Sequence, residues 1–348
     1  MVKEVVFAVP GDLATPTGGY TYDRRIIAEL PALGWRAQVL DLGGGFPRPS
    51  APTRAAACAQ LAALPPGRLV VIDGLAFGVL ADAAAALRSR HPLVALVHHP
   101  LALESGLRAG EAAAFQQSER AALACARHVV VTSRATARLL AADYDVPAER
   151  MSVVEPGTDR NEVPPRTSGQ VVALLAVGAV VPRKGYDVLV AALAQLKNVP
   201  WRLVIAGDCA RSPEAARQLE ADIARSGLAE RVTMVGAVTP DRLAALYAAA
   251  DLFVLPSRFE SYGMAYTEAI AHGVPVVGTT AGAIPETVPA DAGVLVPPDD
   301  IDALAGALRR LIERPDERQR LAAGARAARF PSWRDQAALF AGILEGLA

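Results

Sequence analysis

Apolar positions along this chain fall into short continuous runs, separated by longer alanine-rich stretches with helical spacing. "EVVFAVP" (Glu4 to Pro10), "RAQVLDL", "RLVVIDG", "PLVALVHH", "HVVVTS" and "MSVVEPG" follow one another up to about residue 157. Unbroken Val, Leu and Ile runs predict strands covered on both faces. Helical stretches between them, such as the one through "YDRRIIAEL", predict a parallel, doubly wound α/β sheet. The alternation breaks at "RNEVPPRTSGQ" (Arg160 to Gln170), where two prolines, a Ser-Gly pair and mixed charge mark a linker. It then restarts with strands at "VVALLAVG", "WRLVIAGD", "VTMVG", "DLFVLPS", "PVVGT" and "AGVLVPP". Helices are predicted at "YDVLVAALAQL", "SPEAARQLEADIARSG", "PDRLAALYAAA", "GMAYTEAIAHG", around Asp300 to Arg314, and at "PSWRDQAALFAGILEGLA".

The chain thus reads as two Rossmann-like units, and its 348 residues are too many for one core. The expected division is residues 1–163, residues 164–330 and a last helix, 331–348, packing back on the first domain. Two opposed sheets of this kind would put ligands in a central cleft, beyond the carboxyl ends of their strands.

Composition narrows the function. There are 35 basic and 36 acidic residues, a net charge of −1, which argues against duplex nucleic acid or an anionic membrane as partner. The stretch 101–128 balances Arg108, Arg120 and Arg127 against Glu104, Glu111 and Glu119, a poor membrane surface. Cys58, Cys125 and Cys209 share no metal or redox spacing, so reduced, buried thiols in a cytoplasmic protein are expected. Trp35, Trp201 and Trp333 read as packing residues.

Three loops carry candidate chemistry. In "PGDLATPTGGYTYDRRI", the pair Gly18-Gly19 precedes a helix and could bring backbone N–H groups close to a ligand, although an ordinary turn explains it equally well. It is neither a dinucleotide fingerprint nor a P-loop. In "VGAVVPRKGYDVLVAAL", Arg183 and Lys184 stand before a helix, an arrangement suited to a diphosphate or to a solvated loop. In "SRFESYGMAYTEAIAHG", Glu260 falls on a loop and Glu268 on the helix that begins near Gly263. Carboxylates accept hydrogen bonds and suit sugar or ribose hydroxyls, while the N–H groups at Gly263 and Met264 suit phosphate.

The last stretch, with the two glutamates eight residues apart, resembles the E-x7-E motif of the retaining family-4 glycosyltransferases, which have the GT-B fold. "PRKG", "IAGD" at Gly207, "VTMVG" at Gly236, "EPGTD", "AGAIPETV" and the N-terminal Gly-Gly loop fall in that family's order. The resemblance spans nearly the whole chain and is strongest over residues 171–300.

It implies that Glu268 binds the ribose hydroxyls of a nucleotide-sugar donor and that Glu260 contacts the transferred sugar. Lys184 then serves the diphosphate, and Gly18, Gly19, Gly207, Gly236, Gly263 and Met264 belong to the donor site. The family's usual arginine is missing from "Gly178-Ala179-Val180", and Arg183 is expected to take its place. Ser261 stands where the family has glycine. Of the pair His98-His99 after "PLVALV", the better match to a family histidine at the cleft is His99.

The implied reaction is hexosyl transfer from a nucleoside diphosphate sugar, as co-substrate, to a small-molecule or saccharide hydroxyl. It would proceed with retention, without a metal and without another cofactor. The residues leave open the nucleotide, the acceptor and homo-oligomer formation. A sugar-nucleotide epimerase and a non-catalytic nucleotide-sugar-binding protein of the same fold are the alternatives. A dehydrogenase would need a dinucleotide fingerprint that is missing.

Overall fold

The computed structural model describes residues 3–104, 106–159 and 169–348. They divide into two compact units, Met1–Gly157 with Pro331–Ala348, and Thr158–Phe330. The expected boundary at residues 163 and 164 lies outside the described residues, as does most of the linker segment.

The first unit is built on a six-stranded parallel sheet of order β2-β1-β3-β4-β5-β6. Its strands are β1 (Lys3–Val9), β2 (Trp35–Asp41), β3 (Leu69–Asp73), β4 (Leu93–Val97), β5 (His128–Val131) and β6 (Met151–Val153). The helices are α1 (Gly18–Glu29), α2 (Ala51–Ala62), α3 (Gly74–Phe77), α4 (Ala81–Leu87), α5 (Ala109–Leu123) and α6 (Arg134–Asp143). Every residue of β3 and β4 is buried, which is why those strands read as unbroken apolar runs.

The second sheet has six parallel strands in the order β12-β11-β10-β7-β8-β9. These are β7 (Val172–Val177), β8 (Trp201–Ala206), β9 (Val232–Gly236), β10 (Leu252–Val254), β11 (Val276–Thr279) and β12 (Gly293–Val296). Around them lie α7 (Tyr186–Ala194), α8 (Pro213–Arg225), α9 (Pro240–Ala249), α10 (Met264–Ala271), α11 (Ile284–Thr287), α12 (Ile301–Glu313) and α13 (Pro315–Ala327). In each sheet the strand order reverses beside the first strand, so the loops after β1 and β7 sit at the topological switch points where α/β sheets hold ligands.

The last helix, α14 (Trp333–Glu345), belongs to the first unit. A capping box starts it: Ser332 accepts from the Asp335 N–H, and Asp335 accepts from the Ser332 N–H. Phe340 stacks on Phe7 of β1 at 5.8 Å, and Trp333 meets Tyr22 of α1 edge-on at 5.9 Å. Trp35, Trp201 and Trp333 are all buried packing residues. The three cysteines are free and half-buried, a correction to the expectation of full burial: each packs against a hydrophobic core from its margin and keeps part of its surface in solvent.

Candidate functional site

The second unit concentrates its polar burial at the carboxyl end of its sheet. β7 leaves the sheet through Gly178 and turns at Pro182–Lys184 into α7. The turn is closed by Gly185, at φ +68°, where an added Cβ would lie 2.1 Å from the Pro256 carbonyl oxygen. Only glycine permits that backbone geometry and that approach. The turn therefore lies against the loop following β10, and two sets of ionic contacts join them.

In the inner set, Lys184 Nζ donates to Glu260 Oε1 at 2.6 Å, and Arg183 Nη1 donates to Glu260 Oε2 at 3.2 Å and to the Phe259 carbonyl at 2.8 Å. The buried Ser257 hydroxyl donates to Glu260 Oε1 at 2.6 Å. Glu260 is 6 % exposed. Burial opposes its ionisation, but the Lys184 and Arg183 charges and the donated hydrogen bonds overcome that and hold its carboxyl down at about 2. Glu260 is ionised throughout the physiological range. Two cations face one carboxylate, so the cluster keeps a surplus of one positive charge.

The outer set rests on Arg258, which the sequence analysis did not single out although it lies two residues from Glu260. Its guanidinium binds Asp187 in bidentate fashion, at 2.7 and 3.0 Å, and donates to Asp299 at 2.7 Å. The Arg258 N–H donates to the Arg183 carbonyl at 2.8 Å. These contacts fix the backbone on which Arg183 and Lys184 stand.

Gly207 and Gly236 lie at the ends of β8 and β9, joined by a Gly207 N–H to Gly236 carbonyl bond of 2.9 Å. Gly207 also abuts the Gly178 carbonyl, and Gly178 borders the Lys184 side chain. The loop after β10 ends at Gly263, the N-cap of α10, beside the Glu260 side chain. Among the described residues no side chain caps this helix start, an arrangement in which the first-turn N–H groups suit an anionic acceptor.

One turn further along α10, the half-buried Glu268 accepts from the Tyr247 hydroxyl at 3.0 Å. Burial raises its carboxyl to about 7, against the lowering effect of the Tyr247 hydrogen bond. The His272 Nδ1–H donates to the Glu268 carbonyl at 2.8 Å and the ring stacks on Tyr247 at 4.9 Å, which steadies that side of the helix. Two carboxylates of one motif therefore sit in opposite electrostatic settings.

Arg183, Lys184 and Glu260 thus form one cluster. Gly207, Gly236, Gly263, Met264 and Glu268 stand on neighbouring loops of the same unit. Gly18, Gly19 and His99 belong to the first unit. There, Gly18-Gly19 opens α1, with Thr17 as its N-cap, and Gly19 lies against the ring of His98.

The sequence analysis favoured His99, yet His98 has the more elaborate setting. Its Nε2 lies 2.8 Å from Asp23 Oδ1 and 3.7 Å from Asp73 Oδ2. Asp23, Asp73 and His98 place three donor atoms within 4.8 Å of one another, a trio of metal-ligating type among the described residues. The Asp23–His98 contact is already a good hydrogen bond, so a proton stands between two of the three donors.

The comparisons with known proteins agree with this architecture. The model of "Glycosyl transferases group 1" matches residues 160–328, and that of "Glycosyltransferase Family 4" matches residues 18–162. The chain belongs to the family-4 glycosyltransferases. Curated relatives include an MMP alpha-(1->4)-mannosyltransferase of Mycolicibacterium hassiacum, 30% identical over 73% of this chain and 65% of its own length. A D-inositol 3-phosphate glycosyltransferase of Xylanimonas cellulosilytica is 36% identical over 63% of this chain and 57% of its own. The chain thus spans 65% and 57% of the length of these two relatives.

Sucrose-phosphate synthase from Thermosynechococcus elongatus superposes with a TM-score of 0.84 at 23% identity, covering 99% of both chains. Anabaena Alr3699/HepE, solved in complex with UDP-glucose, superposes at 0.76 and 22% identity, covering 99% of this chain and 100% of that one. The fold of this family-4 chain is GT-B. Among its described residues no helix is long and apolar enough to cross a membrane.

Proposed function

We propose that this family-4 protein transfers a hexosyl group from a nucleoside diphosphate sugar to a hydroxyl of a small-molecule or saccharide acceptor, with retention of anomeric configuration. The observation that carries the reading is the cation surplus of the Arg183–Lys184–Glu260 cluster, set beside the uncapped start of α10. A diphosphate leaving group is dianionic or more, and it gains charge as the glycosidic bond breaks. Cations and N–H dipoles fixed before the reaction stabilise that charge without reorganising. Glu260 holds both cations in place and, through its position on the loop, meets the transferred sugar.

Glu268, one turn along α10, suits a ribose diol. Once the diol donates to it, the ionised carboxylate is favoured over the protonated one. The acceptor hydroxyl attacks from the face the diphosphate leaves, and the departing phosphate oxygen takes its proton. No metal is required where Arg183, Lys184 and a helix end neutralise the leaving group. That one relative is a D-inositol 3-phosphate glycosyltransferase and another an alpha-(1->4)-mannosyltransferase, and that a structural neighbour was solved with UDP-glucose, supports a nucleotide-sugar donor and a polyol or saccharide acceptor.

Thermal-shift screening against UDP-, GDP- and ADP-sugars identifies the donor. Release of free nucleoside diphosphate, measured with and without candidate acceptors and in EDTA, then tests transfer. The reading requires acceptor-dependent release that EDTA does not abolish. Binding without release in any acceptor panel would instead indicate a binding protein.

A further inference from the structure

A groove of about 360 Å³ lies on the first unit, between the loop that follows β2 and the first turns of α5. Its walls include Arg48, Arg54, Glu111, Phe115 and Ser118. The volume falls within the range of small-molecule sites. α2 and α5 follow β2 and β4, so their first turns stand at the carboxyl end of the sheet, where α/β folds hold ligands.

The sequence builds a stiff support for Arg48. Asp41, the last residue of β2, accepts from the Gly43 N–H at 2.8 Å and from the Gly11 N–H at 3.0 Å, tying this loop to the one after β1. The Arg48 N–H closes a turn onto the Gly45 carbonyl at 2.8 Å. Pro47 and Pro49 flank Arg48 and narrow its backbone choices. Ser50 then caps α2 by accepting from the Thr53 N–H.

Neither guanidinium is consumed by the protein. That of Arg48 lies over the Phe115 ring, 5.4 Å from its centroid. Stacking of this kind fixes the plane of a guanidinium without using its in-plane N–H groups. The nearest carboxylate to Arg48 is Glu111 at 3.7 Å, beyond hydrogen-bond reach. Glu111 is committed elsewhere, because its Oε2 accepts from the Arg108 N–H and from Arg108 Nε, both at 3.1 Å. Those bonds, the backbone one first, hold its carboxyl below the usual carboxylate range. Arg54 stands 3.9 Å from Asp82, a fully exposed carboxylate. Among the described residues, neither guanidinium donates a hydrogen bond.

A lone surface arginine is ordinarily just solvated. Two that line one groove, one of them stacked on a ring and set between prolines, are arranged for a shared anion.

We infer that this groove is a subsite for the anionic group of the acceptor, a carboxylate or phosphate on a sugar or polyol, held by the Arg48 fork with Arg54 as the second cation. A guanidinium presents paired N–H groups that match two oxygens of either anion. The Ser118 hydroxyl can donate to or accept from the ligand's own hydroxyls, and the ring of Phe115 gives the groove an apolar wall. The acceptor role rests on the glycosyltransferase reading. The oxyanion binding does not.

Isothermal titration of the full chain, without donor, tests the binding with glucose, glucuronate and glucose phosphorylated on its primary hydroxyl. These ligands differ at a single carbon, and the tighter of the two anions distinguishes carboxylate from phosphate. At least one anion is expected to bind roughly tenfold more tightly than glucose. Arg48→Gln weakens that anion by roughly tenfold and Arg54→Gln by roughly threefold, while Arg48→Lys, which keeps the charge and loses the fork, falls between wild type and Arg48→Gln. Both arginines are exposed, so these variants are expected to fold. Arg217→Gln, at an exposed position of α8 in the second unit, leaves the affinity unchanged. Equal affinity for glucose and both anions, no binding of either anion, or an equal loss in Arg217→Gln overturns the inference.

With donor present, Arg48→Gln is expected to raise the KM of the anionic acceptor by roughly tenfold and to leave donor KM within about twofold. Transfer that is indifferent to both Arg48→Gln and Arg54→Gln overturns the inference and leaves the glycosyltransferase reading standing. Anion binding that follows the variants, with no transfer from any donor, sinks that reading and leaves the anion subsite standing.

Discussion

Each unit of this molecule buries one cluster of charge at the carboxyl end of its sheet, and the two are opposite in balance. In the second unit, two cations surround Glu260, which ionises at about 2. In the first, two carboxylates surround His98, and Asp73 is pushed up to about 7. The surplus sign decides what each can do next. In the cation-rich cluster Glu260 exchanges no proton near neutrality, and two cations face it. The carboxylate-rich cluster takes up a proton near neutrality, at Asp73.

Removing Lys184 breaks that contrast most severely. Lys184→Ala leaves Glu260 buried with half its compensation, which typically costs about 3–5 kcal/mol when a buried pair is broken. Denaturant unfolding should show a loss of that order, and kcat/KM for the donor should fall by roughly 100-fold or more. The double variant Lys184→Met/Glu260→Gln should recover most of the stability and none of the activity. Recovery of both would mean that the cluster is architectural only.

Titration of Glu268 sharpens the comparison within a single helix. Its folded-state carboxyl sits at about 7, above the ordinary carboxylate value of 4.5, so the folded chain binds the extra proton. This residue's contribution to stability is therefore fully present below about 4.5 and is lost as pH rises toward 7. Glu260 runs the other way: its contribution is present above about 4.5 and is lost as pH falls toward 2. Nucleoside diphosphate affinity should rise as Glu268 ionises through pH 6 to 8, and Glu268→Gln should flatten that rise and weaken binding. A slope unchanged by Glu268→Gln would remove the ribose assignment.

The smallest effect is expected at Arg258. Its bonds to Asp187 and Asp299 are partly exposed, and such contacts are worth about 0.2–1 kcal/mol each. Arg258→Ala should cost about that much in unfolding free energy and raise donor KM a few-fold, with kcat nearly kept. A collapse in kcat would give Arg258 a direct part in the chemistry.

Much of the fold was legible because parallel strands buried on both faces leave no alternation to blur them. β3, β4 and β7 appear in the sequence as bare apolar runs, and the ends of α7, α10 and α12 were foreseen within a few residues. Helix α13 was missed because it buries only Arg318, Leu321 and Ala325, too narrow a stripe to stand out from its charged surroundings. The glutamates of E-x7-E and the Arg-Lys pair were readable from residue type and order.

What the sequence could not convey was pairing across distance. It assigned Arg183 and Lys184 to phosphate and Glu260 to sugar, while in space the three compensate one another. Neither Asp23 nor Asp73 was singled out in the sequence, where nothing links them to each other or to His98. Only the packing of α1 against the ends of β3 and β4 reveals that both face His98.

The central claim is that the Arg183–Lys184–Glu260 cluster binds the donor's diphosphate. Isothermal titration of UDP, GDP and ADP into the wild type and into Lys184→Ala, each checked for folding by circular dichroism, tests it directly. At least one nucleoside diphosphate should bind the wild type, with roughly tenfold or greater weakening in Lys184→Ala, the loss of one charged hydrogen bond. Equal affinity in both proteins, or no binding by any of the three, would contradict it.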